Sequence, residues 1–161
     1  MRRTSALLTH LLHSGVSWFQ SLRRLLWFFT GPQTVGVHGV PLTPDGKVVL
    51  VMLSYARGWR LPGGGQRKTE DSRTAMIREL REEIGLTNFD SVDLVTGFEH
   101  RPDRRHGEGS LFVVRGVRYR PKWSLEIKQV GAFGLDDLPK DTAVITRQLL
   151  ALALPASQPV Q

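Results

Sequence analysis

The 161-residue chain contains no cysteine. Disulfide frameworks, thiolate zinc sites and thiol nucleophiles are therefore excluded, and a cytoplasmic location is compatible with that lack. Acid is also in short supply, with 15 Asp and Glu against 22 Lys and Arg and a net charge of +7. Such an excess favours anionic partners: nucleotides, nucleic acid or a membrane surface. The third shortage is of uninterrupted apolar sequence. Residues 5–29 are rich in Leu, Trp and Phe, but His10, His13, Gln20, Arg23 and Arg24 break the run. Nothing reaches the roughly 18 uncharged apolar residues of a spanning helix, and no small-residue cleavage site follows Arg2-Arg3 and the leucines.

The first 32 residues thus read as an amphipathic helical extension, with two readings open. It packs on the domain or on a second subunit, giving a homodimer, or it lies on a membrane as a peripheral contact. Residues 33–154 are expected to form one domain of ordinary size, and 155–161 a frayed tail. Thr34 to Val40 and Lys47 to Leu53 are β-branched runs separated by the turn signal Pro44-Asp45-Gly46. Trp59 to Leu61 is a short extended piece before Pro62-Gly63-Gly64-Gly65, which reads as a flexible turn free of side chains. Val92 to His100 and Leu111 to Tyr119 read as strands joined by a polar loop, Arg101 to Gly109. Ile127 to Phe133 is a further strand, and Thr142 to Leu154 has helical period.

The centre of the chain carries the chemistry. Ser72 to Ile84 lacks Gly and Pro, is rich in helix formers and ends at Gly85. Thr69, Asp71 and Ser72 each offer an N-cap oxygen. Met76, Ile77, Leu80 and Ile84 fall on one apolar stripe that packs on a sheet. Glu79, Glu82 and Glu83 stand at i, i+3 and i+4, so their carboxylates share another face. Alone, that spacing also fits a solvated face of Glu–Arg pairs. The glycine segment just ahead of the helix favours a different reading, in which backbone groups and crowded carboxylates hold a hard divalent cation beside phosphate.

Residues 64–86 match G-x5-E-x7-R-E-U-x-E-E-x-G-U at every specified position, with U a bulky aliphatic: Gly64, Glu70, Arg78, Glu79, Leu80, Glu82, Glu83, Gly85 and Leu86. By this box the chain resembles the Nudix hydrolase family, with weaker echoes in Leu61-Pro62-Gly63-Gly64 and Gly134 to Pro139. The resemblance implies an α/β fold, an α/β/α sandwich with a mixed β-sheet. It implies that Glu79, Glu82 and Glu83 bind metal together with the Gly63 carbonyl, that Arg78 orients the acids, and that Glu70 supports them. The metal implied is Mg2+, with Mn2+ as the alternative.

The implied reaction is water attack on the diphosphate linkage of a nucleoside diphosphate joined to a second group, of the ADP-ribose, nucleoside triphosphate or nucleotide sugar type. The competing reading is a catalytically weak Nudix-like module that binds a nucleotide or nucleic acid. For the hydrolase, no stable nucleic-acid complex is expected. Arg60, Gly64, Arg104 and Arg105 are candidate substrate contacts. The chain departs from the E-x-G-E that many members carry ahead of the helix. Arg67 and Lys68 make that segment basic, which weakens the case for an extra carboxylate there. A further acid from a later loop or strand would be Glu99, Glu108 or Glu126, with Glu108 preferred.

Overall fold

Near-continuous runs of Val and Leu, rather than apolar–polar alternation, mark strands buried on both faces, and that is how the middle of this chain is used. The computed structural model describes residues 35–100 and 107–155. In chain order its elements are β1 (Gly36–Pro41), β2 (Val48–Leu53), β3 (Trp59–Arg60), β4 (Gly63–Gly65), α1 (Ser72–Glu83), β5 (Leu86–Asn88), β6 (Ser91–His100), β7 (Gly107–Arg115), β8 (Arg118–Tyr119), β9 (Ile127–Phe133) and α2 (Val144–Ala153). The expectations for residues 1–32, for Arg104 and Arg105, and for the tail from 156 lie outside the described residues.

Three sheets form. One has the order β4-β1-β7-β6, with β1 and β7 parallel and the other pairs antiparallel. A second, β3-β2-β9, is antiparallel, and β5 pairs with β8 as a third. Successive side chains of a strand point to opposite faces, and the core divides accordingly. Val49, Val51, Phe112 and Val114 join Ala75, Met76, Leu80 and Ile84 of α1 and its C-cap in one buried cluster. Their neighbours Val48, Leu50, Leu111 and Val113 join Leu149, Leu150 and Ala153 of α2 in another. The strands are thus sandwiched between the two helices, the mixed α/β architecture expected. No helix of the described residues is long and apolar enough to cross a membrane.

Several details differ from the sequence reading. Gly63 to Gly65 is not a free turn but a strand, registered against Gly36, Val37 and His38 of β1. The long strand expected from Leu111 to Tyr119 breaks at Gly116, which has φ +66, and its second part pairs with an unexpected strand, Leu86–Asn88. The loop after β6 is shorter than Arg101 to Gly109, because β7 already starts at Gly107.

Candidate active site and metal centre

Helix α1 is started by Asp71, whose carboxylate accepts from the Thr74 N–H at 2.9 Å and from its hydroxyl at 2.6 Å. Of the three N-cap oxygens on offer, this one alone is used in the cap. Gly85 follows the C-cap in the left-handed region with φ +70, and the Arg120 carbonyl lies where a side chain would point. Both ends of the helix are therefore pinned, and the apolar stripe expected of Met76, Ile77, Leu80 and Ile84 is buried.

The acidic face is less open than helical spacing alone suggests. Strand β4 lies across it, and the approach is so close that a Cβ on Gly64 would meet the Glu79 carboxylate at 2.5–2.8 Å. Gly64 admits this contact by lacking a side chain, and Gly63 likewise admits the Val37 carbonyl, 2.2 Å from where a Cβ would stand, so their role is proximity rather than flexibility. Glu79 is left 9% exposed. The Glu83 carboxylate tucks under the same strand and accepts from the Gly63 N–H at 2.9 Å. Gly64 thus lies against Glu79 and Gly63 against Glu83. Glu82 is more open, with Arg67 at 3.9 Å.

Arg78 organises the cluster. Its Nε and Nη2 donate to the two oxygens of Glu70, both at 2.9 Å. Nη1 donates to Glu79 Oε1 at 2.5 Å and lies 3.6 Å from Glu82 Oε2, while Nη2 also reaches the Gly65 carbonyl. Hydrogen bonding to Arg78 holds the Glu70 carboxyl below the usual carboxylate range, and the same bonds push the guanidinium up. Glu79 and Glu83 move the other way. Burial raises Glu79, against the pull of Arg78, with Glu82 and Glu126 adding to the rise. Burial pushes Glu83 well above its ordinary value; Glu79, Glu126 and Glu82 add to this, and the Gly63 amide opposes it.

Glu126 was one of three candidates for a further acid, and its charge reaches both Glu79 and Glu83. It stands just before β9 with its carbonyl accepting from the Ser54 N–H at 2.8 Å and its N–H donating to Ser124 Oγ at 3.1 Å. The Tyr55 hydroxyl donates to its Oε1 at 2.9 Å. For Glu99 and the preferred Glu108 the structure gives only that they stand opposite one another on β6 and β7. Nothing in local sequence singles out Glu126, because its proximity depends on β2 and β9 pairing across more than 70 residues. The Tyr55 contact was equally hidden. Arg60, on β3, is near enough to Tyr55 to oppose the rise that burial and Glu126 impose on its hydroxyl, and its Nε is buried without a hydrogen-bond partner.

Glu82 and Glu126 therefore act electrostatically on Glu79 and Glu83, with Arg78 and Arg67 as nearby cations and Arg78 shared with Glu70. Among the described residues no three acids are arranged to close on one ion, since Arg78 holds Glu79 and the Gly63 amide holds Glu83. The chemistry of the set still suits a hard divalent cation: oxygen donors only, partly desolvated and mutually repelling, beneath a glycine strand.

Comparison with known proteins agrees with this geometry. A family model described as NUDIX domain matches residues 32–153. The chain is 34% identical over 118 residues to the m7GpppN-mRNA hydrolase dcap-2 of Caenorhabditis elegans, a match covering 67% of this chain and 14% of that one. It is 37% identical over 54 residues to the RNA pyrophosphohydrolase of Hahella chejuensis, covering 34% of this chain and 33% of the relative. The matched parts thus span well under two thirds of these relatives. Among solved structures, a MutT NUDIX hydrolase from Burkholderia pseudomallei superposes with a TM-score of 0.65 at 25% identity, covering 75% of this chain and 98% of that one.

Proposed function

The chain belongs to the NUDIX family, and on that premise we propose that it is a hydrolase of the diphosphate linkage in a nucleoside diphosphate joined to a second group. The substrates that fit are of the ADP-ribose, nucleoside triphosphate or nucleotide sugar type, and the metal is Mg2+, with Mn2+ able to replace it. The observation that carries this reading is the pair of desolvated carboxylates, Glu79 and Glu83, against β4, with Glu82 and Glu126 beside them. A module that only binds nucleotides has no use for acids held so close together against their own repulsion.

In this reading Glu79, Glu82, Glu83 and the Gly63 carbonyl hold the ion. Bound there, the ion would supply positive charge to the phosphate oxygens. Arg78 keeps Glu79 in place and is itself kept in place by Glu70, so these two residues position the acids rather than touch the phosphates. Glu79 Oε2 and Glu83 Oε1, which Arg78 Nη1 and the Gly63 amide do not hold, would be the oxygens offered to the ion. A carboxylate of the cluster would accept the proton of the attacking water.

Both curated relatives are named for RNA, so the 5′ end of an RNA is the second substrate class we put forward. The test is hydrolysis with Mg2+ or Mn2+ of a panel containing ADP-ribose, nucleoside triphosphates, nucleotide sugars, dinucleoside polyphosphates and short RNAs with 5′-triphosphate or capped ends. Turnover of at least one diphosphate linkage supports the proposal. No turnover of any of them with either metal overturns it.

A further inference from the structure

Residues 120–126 join β8 to β9 and end at Glu126, beside the acidic cluster. Both ends of this loop are held. The Arg120 N–H donates at 2.9 Å to the carbonyl of Gly85, which follows Glu83 by two residues. At the other end Ser124 Oγ accepts from the Glu126 and Ile127 N–H groups at 3.1 and 3.3 Å. The Ser54 N–H donates to the Glu126 carbonyl at 2.8 Å. Between these anchors stand Pro121, Lys122 and Trp123, all exposed, as is the Arg120 side of the loop. Pro121 fixes its own φ and restricts Arg120 before it, which stiffens the segment.

Trp123 is 84% exposed, more than any other large apolar residue described. An indole left in water adds nothing to the core, so packing does not account for it. Arg120 and Lys122 bring two positive charges to the same stretch, and among the described residues neither has an ion-pair partner. Two cations, not further apolar groups, lead up to the ring, which favours a polyanion over a protein-docking patch. Cations beside an exposed aromatic face complement an anionic strand with unpaired bases: phosphates meet the charges and a base lies on the ring. Trp123 stands three residues before Glu126, a span of at most about 11 Å. A strand whose 5′ end lies at the carboxylates therefore passes the indole within its first few nucleotides.

We infer that Arg120, Lys122 and Trp123 form a landing site for the single-stranded RNA that follows a 5′-terminal diphosphate linkage. A base stacks on Trp123, and Arg120 and Lys122 meet neighbouring phosphates of the strand. The inference rests on the RNA-end reading of the substrate, but the binding it asserts needs no turnover. The exposure of Trp123 makes its substitution harmless to the fold.

The test is fluorescence anisotropy of a short unstructured RNA with a 5′-monophosphate and a 3′ fluorophore, titrated with the full chain at several salt concentrations. This RNA has no diphosphate linkage to cleave, and a blunt duplex of the same sequence is the control. Trp123→Ala should weaken binding of the single strand about tenfold, the loss of one stacked base. Trp123→Phe keeps an aromatic face and should restore most of that loss. Duplex binding should not depend on Trp123, because its bases are not free to stack. Arg120→Ala and Lys122→Ala should each lower the slope of log affinity against log salt by about 0.7, the share of one phosphate on a single strand. The inference is overturned if the single strand does not bind, or if neither cation changes the salt slope. It is equally overturned if Trp123→Ala leaves the Kd unchanged, as an indole serving a protein partner would, if it weakens the duplex as much, or if Trp123→Phe is no better. Any of those outcomes alongside hydrolysis of RNA 5′ ends removes the landing site and leaves the hydrolase. Single-strand binding lost in Trp123→Ala and restored in Trp123→Phe, with no hydrolysis of any diphosphate, removes the hydrolase and leaves the landing site.

Discussion

Arg78 grips both carboxylate oxygens of Glu70 at 2.9 Å, and the same guanidinium reaches Glu79. The eight-residue separation between Glu70 and Arg78 is thereby explained: it spans the entry to α1 and folds the preceding segment back onto the second turn of the helix. Both partners are largely buried, with side-chain exposures of 10% and 16%. A fork-to-fork pair in such a place has geometry that Lys or Gln cannot reproduce.

Glu70→Gln and Arg78→Lys should each therefore lower stability by about 2 kcal/mol, the range for a lost hydrogen bond to a charged group. Urea unfolding of each variant against wild type measures this. Midpoints unchanged in both would mean that the pair is not formed in solution.

Gly64→Ala tests the close approach of β4 to the acidic face. The added methyl would meet the Glu79 carboxylate at 2.5–2.8 Å, and a flexible side-chain end can move aside more cheaply than backbone. The expected outcome is a folded protein with a melting temperature within about 5 °C of wild type and Mg2+ binding weakened at least about tenfold. Thermal melts and Mg2+ titration by calorimetry read the two effects separately. Unchanged Mg2+ affinity would remove Glu79 from the metal centre.

The raised proton affinities of Glu79 and Glu83 have a consequence for stability. A carboxyl that binds its proton more tightly in the folded state stabilises the fold fully below its unfolded value near 4.5, and loses that contribution as pH rises through the folded value. Glu70 is shifted the opposite way, and its contribution is lost only on going to acid. Metal-free protein should accordingly lose stability as pH climbs from the ordinary carboxylate range towards neutrality. Glu83→Gln should flatten that decline, and Mg2+ should offset it, by about 2.7 kcal/mol at a hundredfold excess over its Kd. Denaturant midpoints across pH, with chelator and with Mg2+, provide the check; a decline of equal slope in Glu83→Gln would contradict the burial of that carboxyl.

The helix, its apolar stripe and the left-handed Gly85 could all be read in sequence because they depend on neighbours within a turn or two, whereas Thr69, Asp71 and Ser72 all offered a cap and only the structure selects Asp71. The two-faced strands were legible for a similar reason, since runs such as Val48-Val49-Leu50-Val51 leave no polar face to expose. Gly63 to Gly65 misled, because a strand without side chains has no periodicity to betray it. Its function as a close-packed strand appears only when Val37 and Glu79 are seen on either side. Glu126 and Tyr55 were obscured by distance along the chain: their hydrogen bond joins β9 to the end of β2, and no local pattern encodes that pairing.

The central claim is that the acids of α1 hold the metal that cleaves a diphosphate linkage. It is tested most directly by the Mg2+-dependent hydrolysis rate of wild type, Glu82→Gln and Glu83→Gln on the best substrate of the panel. Each substitution keeps shape and removes one negative ligand, so kcat should fall at least about a hundredfold while melting temperatures in chelator stay level or rise as repulsion is relieved. Wild-type rates in both variants, at every Mg2+ concentration, would contradict the account.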